Sequence, residues 1–374
     1  MPHQLTTAPD GTGFGYYVHV PFCAKRCDYC AFATWTDRDH LVERYLQACR
    51  DDVERSASAA PSATSVFFGG GTPSLVAADL LMHVLDAMPR TSGAEVTVEC
   101  NPDTVTPELL GAYRDAGVTR VSLGVQSMVP HVLASLGRTH DPRNVRRSVE
   151  LTREAGFDTF NLDLIYGGAG ESLDDWRRTL DEALALDPPH VSAYALTVEP
   201  GTALADDVSR HPDDDDQADK YAMATDMLGA AGLGWYEISN WARPGHECRH
   251  NFLYWRQGDY IGVGCAAHSH RDGRRWWNVR TPERYIDAIE GGRSPEAGSE
   301  HLDDGGRALE GLQLALRTSD GVPAGALPAD DELAGLLLAD DAGQVRLTLK
   351  GRLLANEVAL RLRQPDATAG SSST

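Results

Sequence analysis

Three cysteines crowd one short stretch, "CAKRCDYC", at positions 23, 27 and 30. A deprotonated thiol is a metal ligand, and this spacing offers three from a single loop. A structural zinc takes four closed ligands, usually from two Cys-x-x-Cys pairs, and no second pair follows. His19 stands four residues upstream on a strand-like stretch and reads as a packing residue. Three thiolates can instead hold three irons of a [4Fe–4S] cube and leave the fourth iron open to an outside ligand. On that reading the missing fourth ligand is the working position.

The other cysteines are Cys49, Cys100, Cys248 and Cys265, making seven in all. An odd number in a chain that reads as cytoplasmic argues against a disulfide framework and for metal or thiol roles. Cys49 sits in the helical stretch "HLVERYLQACRDDVE" and reads as a small helix residue without chemistry. The cytoplasmic expectation rests on "MPHQLTTAPDGTGFG", which lacks the basic start and apolar run of a signal peptide. No apolar run reaches the length of a membrane span.

The chain has 374 residues, 34 basic and 55 acidic, for a net charge of −21. Such a chain repels polyanions at long range, which excludes nucleic acid as a general partner. The run "DDDD" at 213–216 reads as a solvated loop face. With 42% hydrophobic residues the length fits one large domain, or one large and one small.

What must position the cysteines is a series of strands and helices alternating about every thirty residues. The strand-like runs are "GYYVHV" (15–20), "TSVFFGGG" (64–71), "EVTVEC" (95–100), "TRVSLGVQS" (119–127), "DTFNLDLIYG" (158–167) and "HVSAYALTVEP" (190–200). Helical patterns follow near 38–55, 75–88, 107–116, 130–136 with 142–155, and 172–186. This alternation predicts a parallel sheet of six βα units. Six are too few for a closed eight-stranded barrel. They predict an open one, a partial (β/α)6 barrel, with a doubly wound sheet as the alternative. Either architecture gathers the strand ends, and at those ends stand the cysteine loop, "GGGTPS", "ECNPD", "VQS" and "NLDLIYG". After residue 205 the pattern changes. The expected organisation is a barrel over 14–205 and an aromatic- and His-rich extension over 206–295. A small α+β, winged-helix-like unit over 296–363 and a disordered tail at 364–374 complete it.

The spacing Cys-x-x-x-Cys-x-x-Cys after the first strand, with "GGGTP" one strand later, resembles the signature of radical S-adenosylmethionine (SAM) enzymes. The longer set "YYVHVPFCAKRCDYCAF", "FFGGGTPS", "ECNPD", "RVSLGVQS", "LGRTH", "FNLDLIYG" and "HNFLYW" resembles the oxygen-independent coproporphyrinogen-III oxidase family. The match is closest to its heme chaperone branch, HemW, and spans about residues 14 to 362. The resemblance implies a [4Fe–4S] cluster on Cys23, Cys27 and Cys30 whose open iron takes the amino and carboxylate groups of SAM. One electron then cleaves SAM to a 5′-deoxyadenosyl radical.

Carried over by motif, Tyr17 hydrogen-bonds near the cluster and Tyr29 lies by the adenine. Gly70, Gly71 and Thr72 face the methionine end, where the glycines let backbone approach. Glu99 binds the amino group or ribose, Gln126, Arg138 and Asp163 reach the ribose and carboxylate, and Ala195 contacts adenine. The plainer alternative for Glu99, Gln126 and Asp163 is that they only satisfy barrel backbone.

Three departures from the oxidase matter. Phe32 stands where the oxidase has a further cysteine, only sixteen residues precede Tyr17, and "HNFLYW" (250–255) matches the HNxxYW motif of the chaperone branch. The resemblance implies heme at this motif, with His250 as iron ligand, Asn251 within the motif, and Tyr254 and Trp255 as flat apolar faces. Cys248, His268 and His270 are the next candidates, and a satisfied structural histidine is the alternative for His250. The implied partners are heme and acceptor hemoproteins, among them respiratory membrane hemoproteins, for a monomer or homodimer. Three functions stay open at this stage: a heme chaperone on a radical-SAM scaffold, a coproporphyrinogen dehydrogenase, and a radical-SAM enzyme of another substrate.

Overall fold

The computed structural model describes residues 13–57 and 60–363, so the expected tail at 364–374 lies outside the described residues. Six parallel strands run in chain order: β1 (Phe14–Val20), β2 (Ala63–Gly70), β3 (Arg90–Cys100), β4 (Arg120–Gln126), β5 (Thr159–Tyr166) and β6 (His190–Ala195). The helices between them are α1 (Val42–Ala57), α2 (Ala78–Asp86), α3 (Pro107–Asp115), α4 (Pro130–Ser135), α5 (Pro142–Glu154) and α6 (Leu173–Leu184). Local sequence sets several helix starts. Thr106 and Ser172 cap α3 and α6, and Ser172 with Asp175 forms a reciprocal capping box.

Each strand has two faces because side chains alternate. The outward set includes Val18, Val66, Val98, Leu123, Leu162 and Val191, all fully buried under the helices in one continuous core. Burial of each such side chain stabilises the fold by roughly 1.5–3 kcal/mol. The inward set is polar or small apart from Phe67: Gly15, Tyr17 and His19 on β1, Ser65 and Gly69 on β2, Glu95, Thr97 and Glu99 on β3. Nonpolar-out and polar-in is the pattern of a sheet that wraps a functional interior.

The sheet does not close. After α7 (Asp214–Ala230), strands β7 (Gly234–Glu237) and β8 (Asn240–Ala242) add antiparallel beyond β6. The chain then forms α8 (Arg249–Trp255) and returns to the other edge, where β9 (Asp259–Val263) pairs parallel with β1. Strands β10 (His268–Arg271), β11 (Arg274–Asn278) and β12 (Glu296–His301) continue antiparallel, with α9 (Pro282–Glu290) between the last two. The extension thus widens the same twelve-stranded sheet at both edges and contributes a seventh parallel strand. The C-terminal unit has its own small core around Leu316, Val322, Leu347 and Val358. It holds α10 (Asp304–Leu316), β13 (Val322–Pro323), β14 (Leu337–Ala339), β15 (Gln344–Leu347), α11 (Leu349–Leu353) and α12 (Ala355–Ala359), with its three strands antiparallel.

Two local expectations are corrected. "DDDD" is no loop face: Asp213 caps α7 by accepting from the Asp216 N–H (2.9 Å), and Asp214–Asp216 form its first turn. Acidic side chains there oppose the positive end of the helix dipole. Asp216 also pairs with the fully buried Lys220 at 2.6 Å. The sixth strand stops at Ala195, and 196–200 run on as loop. Among the described residues no helix is long and apolar enough to cross a membrane.

Candidate functional site

A cavity of about 680 Å³ opens at the carboxyl ends of β1–β6, with Cys23, Cys27 and Cys30 on its wall. The loop that carries them is tied at both ends. Cys23 N–H donates to the Trp35 carbonyl (3.0 Å), Trp35 N–H to the Pro21 carbonyl (2.8 Å), and Asp28 N–H to the Leu136 carbonyl (3.2 Å). Tyr17 acts on this loop at one remove. Its hydroxyl donates to Nδ1 of His19 (3.1 Å), whose Nε2 donates to the Ala33 carbonyl (2.9 Å). His19 is therefore a buried tether, hydrogen-bonded on both ring nitrogens as well as packed.

The three loop thiols are free and half-buried, whereas Cys49, Cys100, Cys248 and Cys265 are buried. Among the described residues no three His, Cys, Asp or Glu side chains converge on a single-ion site. A cube of four irons spreads its ligands wider than one ion does, and three thiols on one loop wall suit it. Burial pushes the Cys23 and Cys30 thiols up, so iron would displace protons from them on binding.

The glycine strand end is shaped by backbone contact. Gly70 has φ 108°, a left-handed value, and a Cβ there would stand 2.4 Å from the His19 ring. A Cβ on Gly71 would stand 2.7 Å from the carbonyl oxygens of Val20 and Phe22. Gly71 is thus required by the root of the cysteine loop itself, beyond any approach of a cofactor. Gly71 N–H donates to Val20 and Thr72 N–H to Phe22 (both 2.8 Å), while the Thr72 hydroxyl lies 3.7 Å from the Cys23 sulfur.

The polar side chains drawn from the sequence gather in the same cavity. Glu99 accepts from Gly70 N–H (3.1 Å), and burial together with the nearby Asp163 charge pushes its carboxyl up to about 8. Asp163 accepts from Ser122 and from Asn161 (both 2.7 Å), and burial raises it too. Gln126 ends β4 at φ 62°, the bulge that turns it into the cavity. Arg138 donates to the Gly124 carbonyl (2.7 Å) and lies 3.7 Å from the Cys27 sulfur, yet its buried Nε has no partner. Tyr29 and Ala195 also line the cavity. A cationic sulfonium ligand with amino, carboxylate and ribose groups fits this set: two half-buried carboxylates for cation and hydroxyls, one orphaned guanidinium N–H for a carboxylate.

Sequence reasoning passed over Tyr194, Ile165 and Leu75, which also line the cavity. Tyr194 is 39% exposed although it lies in a core strand, because it faces the open cavity. Its inward position was readable from the alternation of "HVSAYA". Phe32, at the rim, is 62% exposed.

The HNxxYW segment lies elsewhere. It forms α8, which packs against β1 and β2 near their amino ends. His250 meets Ser65, five residues below Gly70, or about 16 Å of strand. His250 is buried and both ring nitrogens are occupied, Nδ1 by the Ser65 hydroxyl and Nε2 by the Tyr254 hydroxyl (both 2.8 Å). Its ring stacks on Phe67 (centroids 5.4 Å), and burial lowers its pKa to about 3. In this conformation it is a satisfied buried histidine, with no lone pair open to an iron. Glu95 holds the helix start: its carboxylate accepts from Arg249 N–H (3.2 Å) and His250 N–H (3.0 Å), with the Cys248 sulfur at 3.6 Å. Sequence reasoning missed Glu95, although "EVTVE" places it on the same face as Glu99. Asn251, Tyr254 and Trp255 are half-buried, and Arg317 covers the Trp255 ring at 5.1 Å.

Residues 17–183 match the radical SAM superfamily. The chain is 43% identical to the heme chaperone HemW of Mycobacterium tuberculosis H37Rv, over 93% of this chain and 94% of that protein. It is 38% identical to the heme chaperone HemW of Escherichia coli K12, over 75% and 78%. Among solved structures, coproporphyrinogen III oxidase from Escherichia coli, described as a radical SAM enzyme, superposes with a TM-score of 0.80. That likeness covers 94% of this chain and 91% of that one at 22% identity, and it bears on the fold alone.

Proposed function

We propose, for a chain that belongs to the heme chaperone HemW family within the radical SAM superfamily, that it binds heme and hands it to acceptor hemoproteins in the cytoplasm or at the cytoplasmic membrane face. The observation that carries the reading is the 43% identity to a heme chaperone across nearly the full length of both chains. Residues 14–205 serve as the cofactor-bearing barrel, 206–295 as the heme-binding extension and 296–363 as an accessory unit.

Cys23, Cys27 and Cys30 would hold a [4Fe–4S] cluster, and Glu99, Gln126, Arg138 and Asp163 would hold SAM. Such a cluster supplies an electron to the sulfonium when reduced. The chain's own part is to bind and orient. Arg138 offers its free Nε–H to a carboxylate, Glu99 gives up a proton to face a cation, and Tyr17 through His19 keeps the loop in register.

A second reading, coproporphyrinogen dehydrogenation, is favoured by one observation: Glu99, Gln126, Arg138 and Asp163 line one cavity with the three loop cysteines. Phe32, where the oxidase pattern has a cysteine, speaks against it. Anaerobic reconstitution with iron and sulfide, then separate titrations with SAM and hemin and an assay of coproporphyrinogen, tests the two together. Hemin binding without porphyrinogen turnover is the expected result; turnover with added SAM and reductant would favour the dehydrogenase.

A further inference from the structure

Unsatisfied donors gather at one further place, on the outer side of the sheet. Strand β7 is its edge beyond β6 and β8, and pairing sets Trp235 of β7 opposite Trp241 of β8. Residues so paired share a face, so the two indoles are neighbours. Gly234 pairs with Ala242, and Ala242 with His190 at the start of β6. The indoles therefore lie towards the amino ends of the strands, away from the cysteine loop. Helix α7 packs against β7, and its Tyr221 meets the Trp241 ring at 5.7 Å.

Side chains normally fill the space between a helix and a sheet. Here α7 offers Thr225 and, one turn on, Gly229, and the turn that follows brings Gly232 at φ 82°. A Cβ on Gly229 or Gly232 would meet nothing within 4 Å. The missing side chains leave a cavity of about 380 Å³ whose wall includes both indoles. That volume falls in the range of small-molecule sites.

Every polar side chain of this wall has a buried polar atom without a partner: the Thr225 hydroxyl, Nε1 of Trp235 and Nε1 of Trp241. Trp241 is itself only 1% exposed. Arg352 of α11 lies over the Trp235 ring at 4.4 Å, and its Nε and Nη1 are buried and unpartnered too. Indole and guanidinium N–H groups only donate, and a hydroxyl can donate. What relieves such a set is an acceptor, and charge-assisted acceptors do so best. Indole rings beside bare glycine backbone offer apolar surface to a flat body.

We propose that this cavity binds a small aromatic carboxylate, with its ring against the indoles and its oxygens on the orphaned N–H groups. The site shares no residue with the cysteine-loop cavity or with α8, so its ligand is neither SAM nor heme. Arg352 is a positioning residue: it holds the Trp235 ring from the C-terminal unit, so a ligand here ties that unit to the sheet edge.

The test titrates indole-3-acetate, 1-naphthoate and benzoate into the full-length protein by calorimetry, with indole as a ring that lacks the acceptor. The titrations are repeated on three variants, each checked by a thermal melt. Gly229→Leu puts a side chain into the open space and suits a helix better than glycine does. It should melt no earlier than wild type and bind the carboxylates roughly tenfold more weakly or worse. Trp235→Phe keeps a ring and removes one donor, and Thr225→Val removes the hydroxyl at similar volume. Each should weaken binding about fivefold. Indole should bind roughly tenfold more weakly than indole-3-acetate. Iron content after reconstitution and the hemin spectrum should stay at wild-type values in all three variants. If none of the three carboxylates binds the wild-type chain, or if Gly229→Leu binds them unchanged, the cavity is a packing gap only and the proposal falls. Indole binding as tightly as indole-3-acetate would overturn the ligand class, because the orphaned donors would then play no part.

Discussion

The two ends of the barrel interior are built on opposite principles. At the carboxyl end the polar groups are left wanting: three free thiols, a guanidinium Nε without a partner, and two carboxyls that desolvation raises, Glu99 further raised by the charge of Asp163. At the amino end the two central polar groups are satisfied, His250 bonded on both nitrogens and Glu95 accepting from two backbone N–H groups, while the Trp255 Nε1–H is buried without a partner. An unsatisfied buried group carries a cost that only a ligand can relieve. A satisfied one stabilises its own fold and loses stability if diverted. Function is therefore legible at the first end as deficit, and at the second the same residue types describe a plug.

The contrast is most sharply tested at the loop. Replacing Cys23, Cys27 or Cys30 by Ala should remove the iron–sulfur absorbance and nearly all bound iron and sulfide after reconstitution, with little change in the melting profile of the apo chain. Gly71→Val should lose the cluster as well, because the added side chain meets the carbonyls of Val20 and Phe22 at the loop root. A Gly71→Val variant with wild-type iron content but weakened SAM binding would return that glycine to a purely cofactor-facing role.

At the other end the loss should appear in stability. Glu95→Ala strands the N–H groups of Arg249 and His250, and should cost roughly 2–4 kcal/mol in urea unfolding. His250→Ala opens a cavity and strands two hydroxyls, with a loss of similar size. Both variants should keep iron and SAM binding in the folded fraction. Loss of the cluster in either would show that the two ends are not independent.

Glu99 gives the comparison a pH axis. Its carboxyl, at about 8 in the folded chain, binds a proton there that the unfolded chain releases near its ordinary value of 4.5. Between those values the folded state holds more protons, so this group's contribution to stability falls as pH rises from 4.5 through 8. A bound cation reverses the preference by favouring the carboxylate. SAM affinity should therefore rise between pH 6.5 and 8.5, with proton uptake by buffer in calorimetry at pH 7. Glu99→Gln should bind SAM more weakly and flatten the profile. A flat profile in the wild-type chain would mean that Glu99 is ionised before SAM arrives.

The order of βα units could be read from the sequence because each strand's outward residues alternate with inward ones and several helices have a start signal. What could not be read was pairing at a distance. "DYIGV" is short, and nothing local says that it lies parallel against β1, over 240 residues away in sequence. Four aspartates in a row look like solvent until one sees that the first is a cap. The cavity residues were found through motif positions. Glu95 and Tyr194 were passed over because their role depends on which strand face looks inward, a fact visible in the alternation only once the sheet is known. His250 shows the converse: the motif was recognised, while its bonding needed Ser65 from another strand.

The smallest effect is expected at Cys49, and it sharpens the contrast by making one cysteine inert. Cys49 lies on α1, fully buried, with its thiol pushed well above the usual range by burial. A thiol held protonated and out of solvent neither binds iron nor reacts readily. It behaves as a small apolar side chain, and its removal loses only packing. Cys49→Ala should thus leave iron content, SAM affinity and hemin spectrum at wild-type values and lower stability by about 1 kcal/mol. Cys265 is close enough to Cys49 to influence its titration, so the double variant Cys49→Ala/Cys265→Ala checks for a hidden thiol pair. Additive losses in unfolding free energy mean two independent packing residues. A strong departure from additivity, or any fall in iron content, would mean that the buried cysteines contribute to the chemistry that the loop is expected to hold alone.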